Sequence, residues 1–327
     1  MIALATYPTY DPTTFYRDYE SLSTDDRLPL FNRATDGVYA PGSTFKLCTA
    51  VAALESGIIT PTTTICDQGV YTYYAYPQPK CWIYRQYGST HGSINVSQAI
   101  TESCNYFFYE TGRLTGIETI DNYATQFGLG RSTGIETGDS KGALASPEYA
   151  KANELEWTDG QTITAAIGQS YNLFTPIQLA NYVATLVGDG EHYKAHLLKN
   201  VKSYDNSSMI YAYDEGPENT VSISDSTLQA VKEGMYGVAN STLSSQFSRC
   251  IVTCGAKTGS AQVGTDIANG TFVCFAPYDD PQIAVAVVIE KGGSGAALAG
   301  VAVDIVNAYF SREEIGTAII GENTLIS

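Results

Sequence analysis

The hydrophobic period of this chain changes once, and late. Between Ser43 and Val238 apolar residues recur mostly at helical spacing, whereas after Cys250 they run in short β-branched and aromatic stretches. Those stretches are Ile251 to Gly255, Thr271 to Ala276 and Ile283 to Glu290, each bounded by turn residues, and a helical pattern from Ala296 to Phe310 closes them. Strands gathered at one end of a chain pair antiparallel, so the order predicts an α+β fold: an antiparallel sheet flanked by helices, with an all-helical section before it. Ile2 to Thr6, a short apolar run ending at Tyr7-Pro8, reads as a first strand that joins this sheet from the far end of the sequence.

The helical section has clear punctuation. Ser43 to Ser56 carries Phe45, Leu47, Val51, Ala52 and Leu54, follows the turn Tyr39-Ala40-Pro41-Gly42 and stops at Gly57, so Ser43 is expected at a helix N-terminus. Val96 to Thr115 is helical but interrupted around Ser103-Cys104-Asn105, and Glu118 to Phe127 gives a further helix. Thr175-Pro176-Ile177 opens a run to Val187, and Ser224 to Val238 keeps Leu228, Val231 and Met235 in step. With no internal repeat and no Pro-rich or Gly/Ser-rich linker, residues 1–327 read as one domain.

Charge narrows the function. Eighteen Lys and Arg against 34 Asp and Glu leave a net charge of -16, which repels nucleic acid and anionic lipid surfaces. The longest apolar run, Ile283 to Ile289, is far short of the roughly 18 residues of a membrane span. The start, Met1-Ile2-Ala3-Leu4, lacks the basic and long apolar regions of a secretion signal. Seven cysteines and three histidines show no metal-ligand spacing, so neither a zinc site nor a cofactor is expected. Cys250 and Cys254 read as strand residues, and Cys66 and Cys81, flanking a Tyr-rich loop, would be free to pair in an oxidising compartment.

Three short motifs carry the chemistry. In Ser43-Thr44-Phe45-Lys46 one helical turn brings an amine near a hydroxyl at a helix N-terminus, which suits a serine nucleophile activated by a neutral lysine. Ser103-Cys104-Asn105, at a helix break, offers a second hydroxyl for proton relay and an amide for a substrate carbonyl or amide. Lys257-Thr258-Gly259-Ser260, at the end of a predicted strand, suits an anionic substrate laid along a strand edge. Each alone also reads as an ordinary cap, break or strand terminus.

In this order the three resemble the Ser-x-x-Lys, Ser-x-Asn and Lys-Thr-Gly signature of penicillin-binding proteins and serine β-lactamases. The likeness extends through Leu30-Phe31-Asn32-Arg33-Ala34, Ile167-Gly168-Gln169-Ser170, Thr175-Pro176-Ile177-Gln178-Leu179-Ala180 and Lys257 to Gln262, and is nearest the transpeptidase domain of class B penicillin-binding proteins of the elongation type. The resemblance implies that Ser43 is acylated, Lys46 is its base and Ser103 relays the proton. It implies that Asn105 binds the peptide amide, Lys257 holds positive potential, and Thr258, Gly259 and Ser260 line the place of a terminal carboxylate, with the Ser43 and Ser260 N–H groups as oxyanion hole.

The implied reaction is D,D-transpeptidation of peptidoglycan stem peptides through an acyl-serine, with β-lactam antibiotics as acylating ligands and a SEDS-family glycan polymerase as partner. A serine β-lactamase or a β-lactam sensor is the alternative. A class A lactamase would place a Glu and an Asn four residues apart after Asn105, and Glu148, Glu154 and Glu156 are followed instead by Ala152, Thr158 and Gly160. The resemblance also implies an N-terminal membrane anchor and a pedestal domain, absent from this chain, and an extracytoplasmic site of action. His91 and the Tyr71 to Tyr76 stretch are expected to order loops, and Trp157-Thr158-Asp159-Gly160 to border the cleft.

Overall fold

The computed structural model describes residues 1–76, 78–263 and 267–314. Its helices are α1 (Phe15–Thr24), α2 (Lys46–Glu55), α3 (Trp82–Tyr87), α4 (Val96–Thr101), α5 (Asn105–Thr115), α6 (Ile117–Gln126), α7 (Pro147–Ala152), α8 (Asp159–Ala165), α9 (Pro176–Val187), α10 (Asp225–Gly237), α11 (Ser244–Phe247) and α12 (Ala299–Glu314). Its strands are β1 (Ile65–Asp67), β2 (Gly92–Ile94), β3 (Glu191–His192), β4 (Asn200–Lys202), β5 (Met209–Ala212), β6 (Asn219–Thr220), β7 (Gly255–Gln262), β8 (Ala268–Ala276) and β9 (Ile283–Ile289). The last three form an antiparallel sheet in the order β7-β8-β9, while the others pair as short ribbons. The α+β architecture is therefore as the period predicts.

The central strand explains how two cores share one sheet. β8 is buried from Asn269 to Ala276, and alternate side chains point to opposite faces. Val273 and Phe275 join the larger core with residues of α2, α5, α9 and α10, whereas Phe272, Cys274 and Ala276 join a second core under α12. A strand covered on both faces reads as a continuous apolar run, which is why it was legible. Helix α2 is buried along nearly its whole length, so it is fixed from all sides, with side chains such as Leu47 and Val51 each worth ~1.5–3 kcal/mol.

Two expectations about strands are corrected. Ile2 to Thr6 forms no ladder: Met1, Ile2 and Leu4 stay exposed, and the segment is tied instead through the amino terminus to His196 O and through Thr6 Oγ1 to the Arg33 N–H. Residues Ile251 to Cys254 are a loop, and the strand runs from Gly255 to Gln262. Polar Lys257, Thr258 and Ser260 hid the alternation there, because they are placed by the site and not by the core. The Lys-Thr-Gly motif is consequently mid-strand.

Helix α9 shows the local chemistry at its simplest. Thr175 Oγ1 accepts from the Gln178 N–H, Gln178 Oε1 accepts from the Thr175 N–H, and Pro176 occupies the first turn. The Gln178 amide then donates to Arg131 O at 2.6 Å and Lys141 O at 2.9 Å, tying a distant loop to the cap. Thr175→Ala is expected to cost about 1 kcal/mol, read as a fall in Tm of roughly 3 °C. An unchanged Tm would remove the cap from this account.

Candidate active site

Three chain segments meet where the motifs lie. A 3-10 turn, Gly42–Phe45, precedes α2 and carries Ser43, which remains partly exposed while its neighbours are buried. The approach needs bare backbone. Gly42 has φ +53, and a Cβ there would sit 3.0 to 3.2 Å from the backbone of Ser260. Gly168 has φ +76, and a Cβ there would lie 2.0 Å from Gly42 O, whose own N–H donates to Gly168 O at 2.9 Å. The Ser43 turn is thus wedged between the 168 loop and β7.

Lys46 is fully buried and its ammonium is directed at the helix break. It donates to Ser103 O at 2.8 Å, to Asn105 Oδ1 at 2.6 Å and more weakly to Ser103 Oγ at 3.4 Å. Among the described residues no hydrogen bond joins Lys46 to the Ser43 hydroxyl, so one-turn spacing brings the two groups to one site without pairing them in this state. Ser103 sits at φ +51, beyond the end of α4, and that left-handed turn presents its carbonyl and hydroxyl to Lys46. Asn105 opens α5 immediately after.

Lys257 completes the constellation from the sheet side. It too is fully buried, and its Nζ donates to Ser103 Oγ at 2.9 Å, so that one hydroxyl stands between two amines. Burial pulls Lys46 down to about 8. Burial and the neighbouring charge of Lys46 pull Lys257 well below the ordinary lysine range. Thr258 is partly exposed and Ser260 exposed. Thr258 O accepts from Lys257 and Ser260 O from Gln169 Nε2 at 3.5 Å, so both carbonyls face away from β8 along the free edge of β7. Ser260 Oγ accepts from the Gly295 N–H at 3.1 Å, which leaves the hydroxyl hydrogen free to turn toward a ligand.

All eight expected site residues, Ser43, Lys46, Ser103, Asn105, Lys257, Thr258, Gly259 and Ser260, therefore lie on segments that converge. Gly259 is needed bare, since a Cβ would meet Pro41 O at 2.4 Å. Gln169 and Gly295 were not singled out from sequence as contacts. The turn Gly292-Gly293-Ser294-Gly295 was the one available signal for the second.

Residues 1–310 match the penicillin binding protein transpeptidase domain. This chain belongs to the penicillin-binding protein transpeptidase family. It is 34% identical over 325 residues to the peptidoglycan D,D-transpeptidase MrdA of Escherichia coli K12, covering 91% of this chain and 50% of that protein. MrdA of Haemophilus influenzae is 32% identical over 345 residues, 96% of this chain and 52% of that protein. Among solved structures, Pseudomonas aeruginosa PBP2 in complex with WCK 5153 superposes with a TM-score of 0.83 at 30% identity, covering 93% of this chain and 70% of that one. A peptidoglycan synthase complex described as coordinating polymerization and crosslinking gives 0.81 at 28%, over 93% and 52%. Penicillin-binding protein A of M. tuberculosis as an imipenem acyl-enzyme gives 0.80 at 25%, over 94% and 70%. The chain spans about half the length of the curated relatives it matches.

Behind the Ser103 loop lies a cluster that sequence spacing did not show. Donor atoms of Asp67, Cys81, His91 and Cys104 all lie within 4.8 Å of one another. Asp67 Oδ2 is 2.7 Å from His91 Nδ1, and Cys104 Sγ is 3.8 Å from Cys81 Sγ and 3.7 Å from Asp67 Oδ2. These four residues could hold a metal ion, an arrangement that the spacing of cysteines and histidines along the chain does not announce, and Cys66 and Cys81, whose pairing the sequence leaves open, are both free thiols. Cys66 is exposed on β1 while Cys81 is buried against Cys104 and His91. Sequence separations of 10 to 37 residues concealed the group, because each ligand comes from a different element.

Two thiols, an imidazole and a carboxylate suit zinc better than a hard cation. The hydrogen bond with Cys81 and burial push the Cys104 thiol up in the metal-free state, and the Phe107 N–H, which donates to Cys104 Sγ at 3.4 Å, acts against them. Cobalt(II) added to the metal-free protein should produce sulfur-to-cobalt charge-transfer absorption that disappears in Cys104→Ser. Absence of that absorption in the native chain would sink the metal assignment.

Proposed function

We propose that this domain is the catalytic part of a peptidoglycan D,D-transpeptidase, transferring an acyl group from a D-Ala-D-Ala stem peptide to the amine of a neighbouring stem peptide. The observation that carries the reading is Ser103 Oγ held between Lys46 and Lys257 beside the partly exposed Ser43. As an ammonium Lys46 has three donors. As a neutral amine it keeps its two short bonds, to Ser103 O and Asn105 Oδ1, and gives up the long one. Its lone pair is then free for the Ser43 proton.

Ser43 Oγ attacks the carbonyl of the penultimate D-alanine as Lys46 accepts its proton. The oxyanion is met by the Ser43 and Ser260 N–H groups, worth about 3–4 kcal/mol per donor. Ser103 Oγ passes a proton from Lys46 to the departing D-alanine nitrogen, leaving a Ser43 ester. The acceptor amine reverses these steps and closes the cross-link. Lys257, Thr258 and Ser260 hold the terminal carboxylate, and the free edge of β7 pairs with the peptide backbone. β-Lactams acylate Ser43 by the same route. In the whole protein, a SEDS-family glycan polymerase is the proposed partner, and the extracytoplasmic face of the membrane the place of action. Among the described residues no helix is long and apolar enough to cross a membrane.

Incubation with benzylpenicillin should add one penicilloyl mass that persists for hours and is absent in Ser43→Ala, as read by intact mass. Loss within minutes would convert the assignment to a β-lactamase, and no adduct at all would overturn it. The acylation rate should rise ~tenfold per pH unit below about 8 and level off above it, because only neutral Lys46 accepts the proton. Lys46→Arg keeps the charge but cannot act as base, and native-rate acylation in that variant would refute the role of Lys46.

A further inference from the structure

Cys250 and Cys254 stand at the two ends of the loop that leads from α11 into β7, with their Sγ atoms 3.4 Å apart. The loop backbone is held at nearly every residue. Cys250 N–H donates to Phe247 O at 2.9 Å, Ile251 N–H to Asn307 Oδ1 at 2.9 Å, and Asn307 Nδ2 to Arg249 O at 3.0 Å. Thr253 O accepts from the Tyr278 N–H at 2.9 Å and Cys254 O from Asn240 Nδ2 at 3.4 Å. The two sulfurs are thus kept in contact by the backbone that a bond between them would close, not by a chance meeting of mobile side chains. Among the described residues no third metal-ligating group joins them, which leaves thiol chemistry.

The pair is asymmetric in the way disulfide exchange requires. Cys250 is half-buried and open to a small reagent, whereas Cys254 is 2% exposed and packs in the core under α12. The hydrogen bond from the Cys254 thiol favours the thiolate on Cys250 and draws it down to about 6. Cys250 is the attacking group and Cys254 the resolving one.

We propose that Cys250 and Cys254 form a disulfide on meeting a low-molecular-weight disulfide such as oxidised glutathione, and that the bond clamps the start of β7, the strand that carries Lys257. The Cys250 thiolate attacks one glutathione sulfur, forming a mixed disulfide and expelling one glutathione thiolate. Cys254 then loses its proton to solvent, its sulfur displaces the second glutathione from Cys250, and the protein has lost two hydrogens to two reduced glutathiones. The step is independent of acyl transfer and stands or falls apart from the transpeptidase reading.

Trypsin cuts after Arg249 and Lys257, so both cysteines fall in one peptide, residues 250–257. After equilibration with oxidised glutathione, removal of reagent and alkylation with iodoacetamide, this peptide is expected 2 Da light and unalkylated, and doubly alkylated after reduction. Oxidation should raise the Tm of the native chain by about 3 °C and leave Cys250→Ser unmoved. Double alkylation of the peptide after oxidation, a bond from Cys254 to Cys274 instead, or an equal Tm shift in Cys250→Ser would each overturn the proposal.

Discussion

The site depends on a buried ammonium. Lys46 opens a helix whose other residues are nearly all core, and among the described residues it pairs with no carboxylate: it meets Ser103 O, Asn105 Oδ1, a more distant Ser103 hydroxyl and the face of Phe108. Dipoles stabilise a buried cation less than a counter-ion does, so the amine is held near its neutral form. Across Ser103, burial and then the charge of Lys46 hold a second buried amine, Lys257, well below the ordinary lysine range. Replacing either dipole by a carboxylate would stabilise the charge and remove the base. Among the described residues no acid pairs with Lys46, in a chain that carries 34 acidic residues, and this fits the role of base proposed for it.

The rest of the fold serves to hold three backbones within contact of each other. The turn before α2, the 168 loop and β7 approach so closely that Gly168 and Gly259 have no room for a Cβ and Gly42, at φ +53, would hold one only in tight contact with the Ser260 backbone. Such contact cannot be maintained by flexible loops. Here the turn continues into a helix buried on all sides, β7 is paired to a central strand that is buried on both faces, and the 168 loop follows α8. Rigidity of the two cores becomes geometry at the cleft.

Much of this was legible and the remainder failed for identifiable reasons. Helices α2, α4, α5, α9 and α10 and strands β8 and β9 were readable because their apolar residues bury against the cores at regular spacing. β7 was misplaced by several residues because its middle is polar. Ile2 to Thr6 has strand-like residues but lies where no ladder reaches it. The three motifs carried the site, since order along the chain is visible in sequence. The direction of the Lys46 side chain was not, because one-turn spacing sets a face and not a hydrogen-bond partner. The group of Asp67, Cys81, His91 and Cys104 was invisible for the same reason, its four members being assembled only by folding.

Cysteine placement shows what an odd count conceals. Cys48 and Cys274 are packing residues in the two cores, and Cys66 is exposed on a ribbon. The other four fall into two close pairs, and each pair sits behind one motif segment. Cys81 and Cys104 lie behind the Ser-Cys-Asn break, where Cys104 is itself the middle residue, and Cys250 and Cys254 lie at the foot of the Lys-Thr-Gly strand. Only the segment bearing Ser43 lacks such a pair, and it is the one that runs directly into a fully buried helix. Those two segments are thus the two with a pair of thiols at their base. A metal ion or a covalent bond there would restrain the backbone next to Ser103 and Lys257.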